Sequence, residues 1–353
     1  MFAEARQKFI AAARAHSLAV ETHLLPDRVG IDDEPLATDV ALLSRSEADG
    51  LLLITSATHG VEGYCGSGVQ IALLHDEEFV RAASDAGVPV AFVHAVNPFG
   101  FSHGRRVNED NVDLNRNFRD FNQPPPVNSG YAEVHALLIP PTWPPPPEHE
   151  AKNAAYIAAH GVRAYQTAVT GGQYAFPDGL FYGGAKPTWS NRTIRALLRR
   201  HATGRRRLGW IDVHTGLGPR GHGEKIFAGR NDARELARAR AWWGSDVTSI
   251  YDESSSSAEL TGLMFNATYE ECPGVECVGI GLEFGTLPLP AMLQALRADH
   301  WLHVHPEASP HLAAAIRKQM RDAFYIDADD WKQQVYAQAR DAALAAIARI
   351  CEA

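Results

Sequence analysis

A histidine and a carboxylate three residues apart, His59 and Glu62, sit on a turn loosened by Gly60 and Gly63. That spacing lets both side chains converge on one metal ion from the same side, so they are read as two zinc ligands. Two ligands do not hold a catalytic zinc. A hydrolytic site needs a third protein ligand, an open position for water and usually a general base, so the rest of the chain must supply a histidine and an acid. The spacing alone is a weak signal, because His75 and Glu78 repeat it beside Asp76 and Glu77, on what is most simply a solvated helix face.

The elements around these residues follow from hydrophobic period and punctuation. Leu51–Ser56 is a continuous apolar run after Gly50, as in a strand buried on both faces, which places His59 just past a strand end. Residues 88–96 are a second buried strand, and 67–83 have helical period, which makes a βα unit. Residues 208–213 and 277–285 are further core strands, delivering His214 and Glu283 near their ends. Trp210, Asp212 and His214 share one strand face by the period of two. Short strands are expected at 19–25, 36–43 and 247–251. Helices are expected at 2–16, 148–169, 190–201, 231–244, 291–303, 311–324 and 330–351.

Between the second and third core strands, His103–Phe118 is dense in Arg, Asn and Asp and has no amphipathic period, as in a binding loop. A Pro-rich span at about 122–150 is read as an ordered surface excursion, and Phe176–Gly184 as a loop bordering the pocket. Asp252–Ser257 is expected to be a mobile polar loop. The expected fold is α/β: three α/β/α layers around a mixed, mostly parallel sheet, in a single domain over 1–353 whose C-terminal helices lie at about 290–352.

The totals bound the function class. Hydrophobic residues are 45% and charged residues 21% of the 353, the usage of an ordinary globular protein. A net charge of −9 argues against nucleic acid or an anionic membrane as main partner. No apolar run approaches the roughly 18 residues that cross a bilayer, and Met1–Lys8 carries charges where a signal peptide would be apolar, so a cytoplasmic protein is expected. The four cysteines are too few for a disulfide framework, and Cys272 and Cys277 are read as free thiols. Nothing bears on the oligomeric state.

The ordered set His59-x-x-Glu62, Asn97-Pro98-x-Gly100-Phe101, Arg106-x-Asn108, Asp113-Leu114-Asn115-Arg116-Asn117-Phe118, His214 and Glu283 resembles the zinc carboxypeptidase superfamily. The resemblance covers residues 59–283. It implies one Zn²⁺ per chain held by His59, Glu62 and His214, with water in the fourth position and Glu283 as general base. It implies that Arg106 polarises the scissile carbonyl, that Asn115 and Arg116 grip a substrate carboxylate, and that Asp113 orients His59. Arg106 rather than Arg105 has the family's spacing to Asn108 and Asp113. The family's mobile tyrosine has no clear counterpart, Tyr251 and Tyr269 being the candidates, and the segment between Arg116 and His214 is longer than in a compact carboxypeptidase.

The expected function is a zinc metallohydrolase that cleaves an amide bond next to a free carboxylate, acting on a peptide or small molecule. The alternatives are an N-acyl amino acid deacylase of the aspartoacylase and desuccinylase type and a zinc-containing binding module without catalysis.

Overall fold

The computed structural model describes residues 2–44 and 49–352. The ends of the expected 1–353 domain, Met1 and Ala353, therefore lie outside the described residues, as do residues 45–48. Seven strands form one sheet: β1 (Val20–Val29), β2 (Pro35–Leu43), β3 (Gly50–Thr55), β4 (Val90–His94), β5 (Arg207–Gly216), β6 (Gly223–Phe227) and β7 (Glu276–Gly285). Their order is β1-β2-β4-β3-β5-β7-β6. The four central strands β4, β3, β5 and β7 run parallel, while β1, β2 and β6 pair antiparallel at the flanks.

Every residue of β3 is buried, and its side chains alternate between two cores. Leu52 and Ile54 pack with Phe9, Phe79, Phe92, Trp243 and Trp331 on one face. Leu51 and Leu53 pack with Trp210, Ile194, Leu197 and Phe118 on the other. Helices 2–15, 63–75, 233–243 and 329–351 contribute to the first layer and helix 189–201 to the second. A further apolar cluster joins helices 129–138, 162–170, 289–304 and 310–324. The mixed sheet between two helical layers is the expected α/β architecture.

Several local expectations differ. The helix expected over 67–83 starts at Gly63 and breaks at Asp76, whose carboxylate caps a new helix, Glu77–Asp85, by accepting from the amides of Glu78 (2.9 Å) and Phe79 (3.0 Å). The helix expected over 148–169 is broken at Gly161, where φ is +86°. The Pro-rich span carries an unexpected helix, Ser129–Leu138. Residues 247–251 form no strand; Thr248 makes only an isolated bridge to Ile226, and the outer strand beyond β7 is instead β6. Cys272 and Cys277 are free thiols.

Sheet order places the site. From β3 the chain crosses to β4 on one side, and from β5 to β7 on the other, so the connections diverge at the β3/β5 boundary. A crevice opens at the carboxyl ends of the strands there.

Candidate metal centre

His59 follows the carboxyl end of β3 and Glu62 closes the one-turn helix Gly60–Glu62. Close backbone packing fixes this turn. A Cβ on Gly60 would lie 2.0 Å from the carbonyl carbon of Gly100, so no side chain fits there. The amides of Gly60 and Val61 donate to the carbonyls of Arg106 (3.0 Å) and Arg105 (2.8 Å). Asn97-Pro98-Phe99-Gly100-Phe101 builds the other half of the contact. Asn97 caps helix Pro98–His103 through the Gly100 amide (2.8 Å), Pro98 starts that helix, and Gly104 ends it at φ +67°. The chain then turns back and lays Arg106 over the His59–Glu62 turn.

The three expected ligands converge. His59 Nδ1 lies 2.8 Å from one Glu62 oxygen and His214 Nδ1 lies 2.8 Å from the other. All three side chains are buried, and their donor atoms lie within 4.8 Å of one another. His59, Glu62 and His214 could hold a metal ion.

Each imidazole is held from behind by a different carboxylate. His59 Nε2 contacts Asp113 (3.2 Å), and His214 Nε2 contacts Asp212 (2.7 Å). Asp212 had been visible on the face of His214, but a lone acid two residues away on a strand carries no motif. In the structure it also accepts hydrogen bonds from the hydroxyls of Thr55 (2.6 Å) and Thr58 (2.9 Å). Asp113 caps the short turn Leu114–Arg116 through the Asn115 amide (3.0 Å) and accepts from Arg106 Nε (2.9 Å). Burial alone would raise the Asp113 carboxyl, but Arg106, Arg116 and His59 hold it well below the usual range.

The same forces act on the ligands. Burial works against charge on Glu62, yet His59 and His214 hold its carboxyl far below the ordinary value. Burial likewise works against charge on His214, but Asp212 and Glu62 raise the imidazole well above its ordinary value. With both imidazoles neutral, as metal ligation requires, four carboxylates, Glu62, Asp113, Asp212 and Glu283, face two guanidinium groups, Arg106 and Arg116, around one cavity and the residues directly behind it. A divalent cation would balance that excess, and a His₂Glu set with both imidazoles backed by carboxylates suits zinc.

Glu283 lies in register with His214 across β5 and β7, near the end of β7, and lines the cavity. Its carboxylate accepts from the Leu217 amide at 2.8 Å. Burial, with the negative charge of Glu62, pushes its carboxyl up to about 7.

Arg106, Asn115 and Arg116 also line the cavity. Arg106 reaches His59 Nε2 at 2.8 Å besides Asp113, whereas Arg105 turns away to an ion pair with Asp299 at 3.2 Å. Arg116 is buried and donates to the carbonyls of Thr170 (2.7 Å from Nη2) and Asn115 (2.8 Å). Asn115 accepts from the Met264 amide at 2.8 Å. Asn117, next in the motif, ties the loops together through the carbonyls of Gly183 (2.8 Å) and Lys186 (3.1 Å). From the loop expected to border the pocket, Phe181 lies on the wall, 5.1 Å from the Arg106 guanidinium.

Neither candidate tyrosine reaches the cavity. Tyr251 donates its hydroxyl to the Gly229 carbonyl (3.1 Å) and Tyr269 donates to Glu235 (2.5 Å). In the polar segment Asp252–Ser257 the first three residues are exposed and Ser256 is tied down. Buried Glu224 accepts from the Thr248 hydroxyl (2.6 Å) and from the amide and hydroxyl of Ser256. In the second His-x-x-Glu pair, Glu78 accepts from Arg340 (2.7 Å), beside Asp76, which binds Tyr336 and the same Arg340.

Residues 1–338 match a family model described as "Protein of unknown function (DUF2817)". The chain belongs to that family. No curated protein matches this DUF2817 chain. Among solved structures it is similar to a candidate metallopeptidase from Shewanella amazonensis SB2B, at 15% identity and a TM-score of 0.43, over 85% of this chain and 91% of that one. It is also similar to a metallo-carboxypeptidase from Pseudomonas aeruginosa in complex with (2-guanidinoethylmercapto)succinic acid, at 12% identity and a TM-score of 0.43, over 98% and 69%. A third is thrombin activatable fibrinolysis inhibitor, at 12% identity and a TM-score of 0.48, over 93% and 74%. Among the described residues, no helix is long and apolar enough to cross a membrane.

Proposed function

We propose that this chain is a zinc-dependent hydrolase that cleaves an amide bond next to a free carboxylate. One observation carries the reading: His59, Glu62 and His214 converge with both Nδ1 atoms on Glu62, while Glu283 stands in register beside His214 in the same cavity. A purely structural cation site would have no use for a further carboxylate in the same cavity that is not one of its ligands.

His59, Glu62 and His214 would hold the zinc, which when bound supplies Lewis acidity. Glu283, with one oxygen fixed by the Leu217 amide, takes a proton from water at its other oxygen and delivers it to the leaving nitrogen. Arg106, stacked near Phe181, donates to the oxygen that gains charge at the scissile carbonyl. To do so it must leave His59 Nε2, because a neutral ring nitrogen cannot both accept from Arg106 and donate to Asp113. Arg116 has five N–H groups and spends three on Thr170 and Asn115, so its remaining two can take a carboxylate. The amide nitrogen of Asn115 completes that grip, its oxygen being engaged by Met264.

The test compares a blocked dipeptide with its C-terminal amide, using protein stripped of metal and then reloaded with zinc. Turnover should require zinc and fall at least about a hundredfold on amidation, the scale of losing a charge-assisted bidentate contact. Equal rates on acid and amide would remove the carboxylate from the proposal, and full rates without metal would remove the zinc.

A further inference from the structure

The cavity continues from the metal centre along the surface of the sheet, and strand register shows what its floor is made of. Residues paired across neighbouring strands point to the same face, and every second residue along a strand does so again. His214 is level with Glu283, Asp212 with Gly281, and Trp210 with Gly279. On the far side of β7, Ile226 is level with Gly281. The floor therefore runs along β7 from Glu283 through Gly281 to Gly279.

The two glycines differ in what lies above them. A Cβ on Gly279 would meet the Phe265 ring at 2.3 Å, so that position is already roofed. A Cβ on Gly281 would have one neighbour within 4 Å, His214 Cδ2 at 3.7 Å, and otherwise points into open cavity. Phe265, itself packed against Trp210 with ring centroids 5.8 Å apart, thus forms an end wall, and the gap at Gly281 lies between that wall and Glu283. Two residues of strand span about 7 Å, roughly the reach of a leucine or phenylalanine side chain.

The walls of this compartment are apolar: Ile226, Ile250, Leu260, Leu263 and Met264 face it along with Phe265. The acids around it are committed, Glu283 to the Leu217 amide and its role as base under the reading above. Asp212 accepts from His214, Thr55 and Thr58, and Glu224 is enclosed by Thr248 and Ser256. Under the reading above, Arg106 and the two remaining N–H groups of Arg116 are taken by the scissile carbonyl and the substrate's free carboxylate, while Asp113 and Thr170 hold their other groups. A charged side chain entering here would lose its water and find no free partner, whereas an apolar one would exchange water for hydrocarbon.

We propose that Gly281 is the specificity-determining residue, and that the space over it, ended by Phe265, takes a bulky apolar side chain from the substrate residue that bears the free carboxylate. This rests on the hydrolase reading above. It separates this chain from an enzyme for acidic N-acyl amino acids, which would need a free cation in the compartment.

The test uses zinc-loaded full-length protein with two matched series, blocked dipeptides and N-acetyl amino acids, whose carboxylate-bearing residue is Phe, Leu, Ala, Asp or Lys. Phe or Leu should exceed Asp and Lys in kcat/KM by about a hundredfold in whichever series is turned over. Gly281→Val should lower kcat/KM for Phe at least about tenfold more than for Ala, with Gly281→Ala intermediate. A preference for Asp or Lys, or an equal loss on all substrates in Gly281→Val, overturns the proposal. Calorimetric binding of 3-phenylpropanoate keeps the two readings apart. It should weaken about tenfold in Gly281→Val whether or not the protein turns anything over; unchanged affinity overturns the pocket, and absent turnover in both series overturns the hydrolase.

Discussion

Replacing Asp212 by asparagine preserves the shape of the side chain and removes the charge behind His214. The wild-type carboxylate receives His214 Nε2 at 2.7 Å and the Thr55 and Thr58 hydroxyls at 2.6 and 2.9 Å. An amide has one accepting oxygen, so it cannot serve the imidazole and both hydroxyls together. With the histidine's rear hydrogen bond lost or uncharged, zinc affinity should fall about 10–100-fold, the usual cost of removing such a partner. That is about 1.4–2.8 kcal/mol of binding free energy. Competition against a chromogenic chelator of known zinc affinity measures it, with the melting temperature of metal-free protein as control for folding. Unchanged affinity in a folded Asp212→Asn variant would refute the argument that this carboxylate supports the metal centre.

Three further outcomes follow from other groups. Glu283 must be ionised to accept a proton, so kcat/KM should fall as pH drops through the region of about 7, or lower where a bound dication pulls its carboxyl down; a flat profile between pH 5 and 8 would count against its role. Buried His94, stacked on Phe9 at 4.6 Å, is pushed by burial down to about 4 from an ordinary 6.5. Between those values the unfolded chain binds a proton that the native state does not, so stability falls with pH by up to about 3 kcal/mol. Melting curves of His94→Gln should therefore depend less on pH over 7 to 4.5 than wild type, and parallel curves would contradict this. Asp76→Ala removes a helix cap and the partner of Tyr336 and Arg340, and should cost about 2–3 kcal/mol in denaturant unfolding; a loss below about 0.5 kcal/mol would show the contacts are replaced by water.

What could be seen in the chain before the structure depended on whether the cause was local. His59, Glu62 and the Asp113–Phe118 stretch lie on single turns, where neighbouring residues act together, so their spacing marked them once the whole ordered set was read together. His214 and Glu283 were legible as the ends of apolar strands. Asp212 and Gly281 were not, because their meaning arises only when β5, β6 and β7 lie side by side. Strand β6, Gly223-Glu224-Lys225-Ile226-Phe227, was hidden by two charges and a glycine, although buried Glu224 is what holds the loop over the cavity. The strand expected at 247–251 had the right residue types, but only Thr248 pairs with the sheet edge, through its amide to Lys225 and its carbonyl from Phe227, before Ser249 closes that loop by accepting from the Ser255 amide. Gly161 and Asp76 broke two long helical periods by the ordinary means of positive φ and a side-chain cap.

The most direct test sets wild-type protein beside Glu283→Gln and measures zinc content and turnover of the same blocked dipeptide. The account predicts about one zinc per chain in both proteins and a kcat lower by about 10²–10⁴ in the variant. Undiminished turnover in Glu283→Gln, or protein that is fully active without zinc, would contradict it.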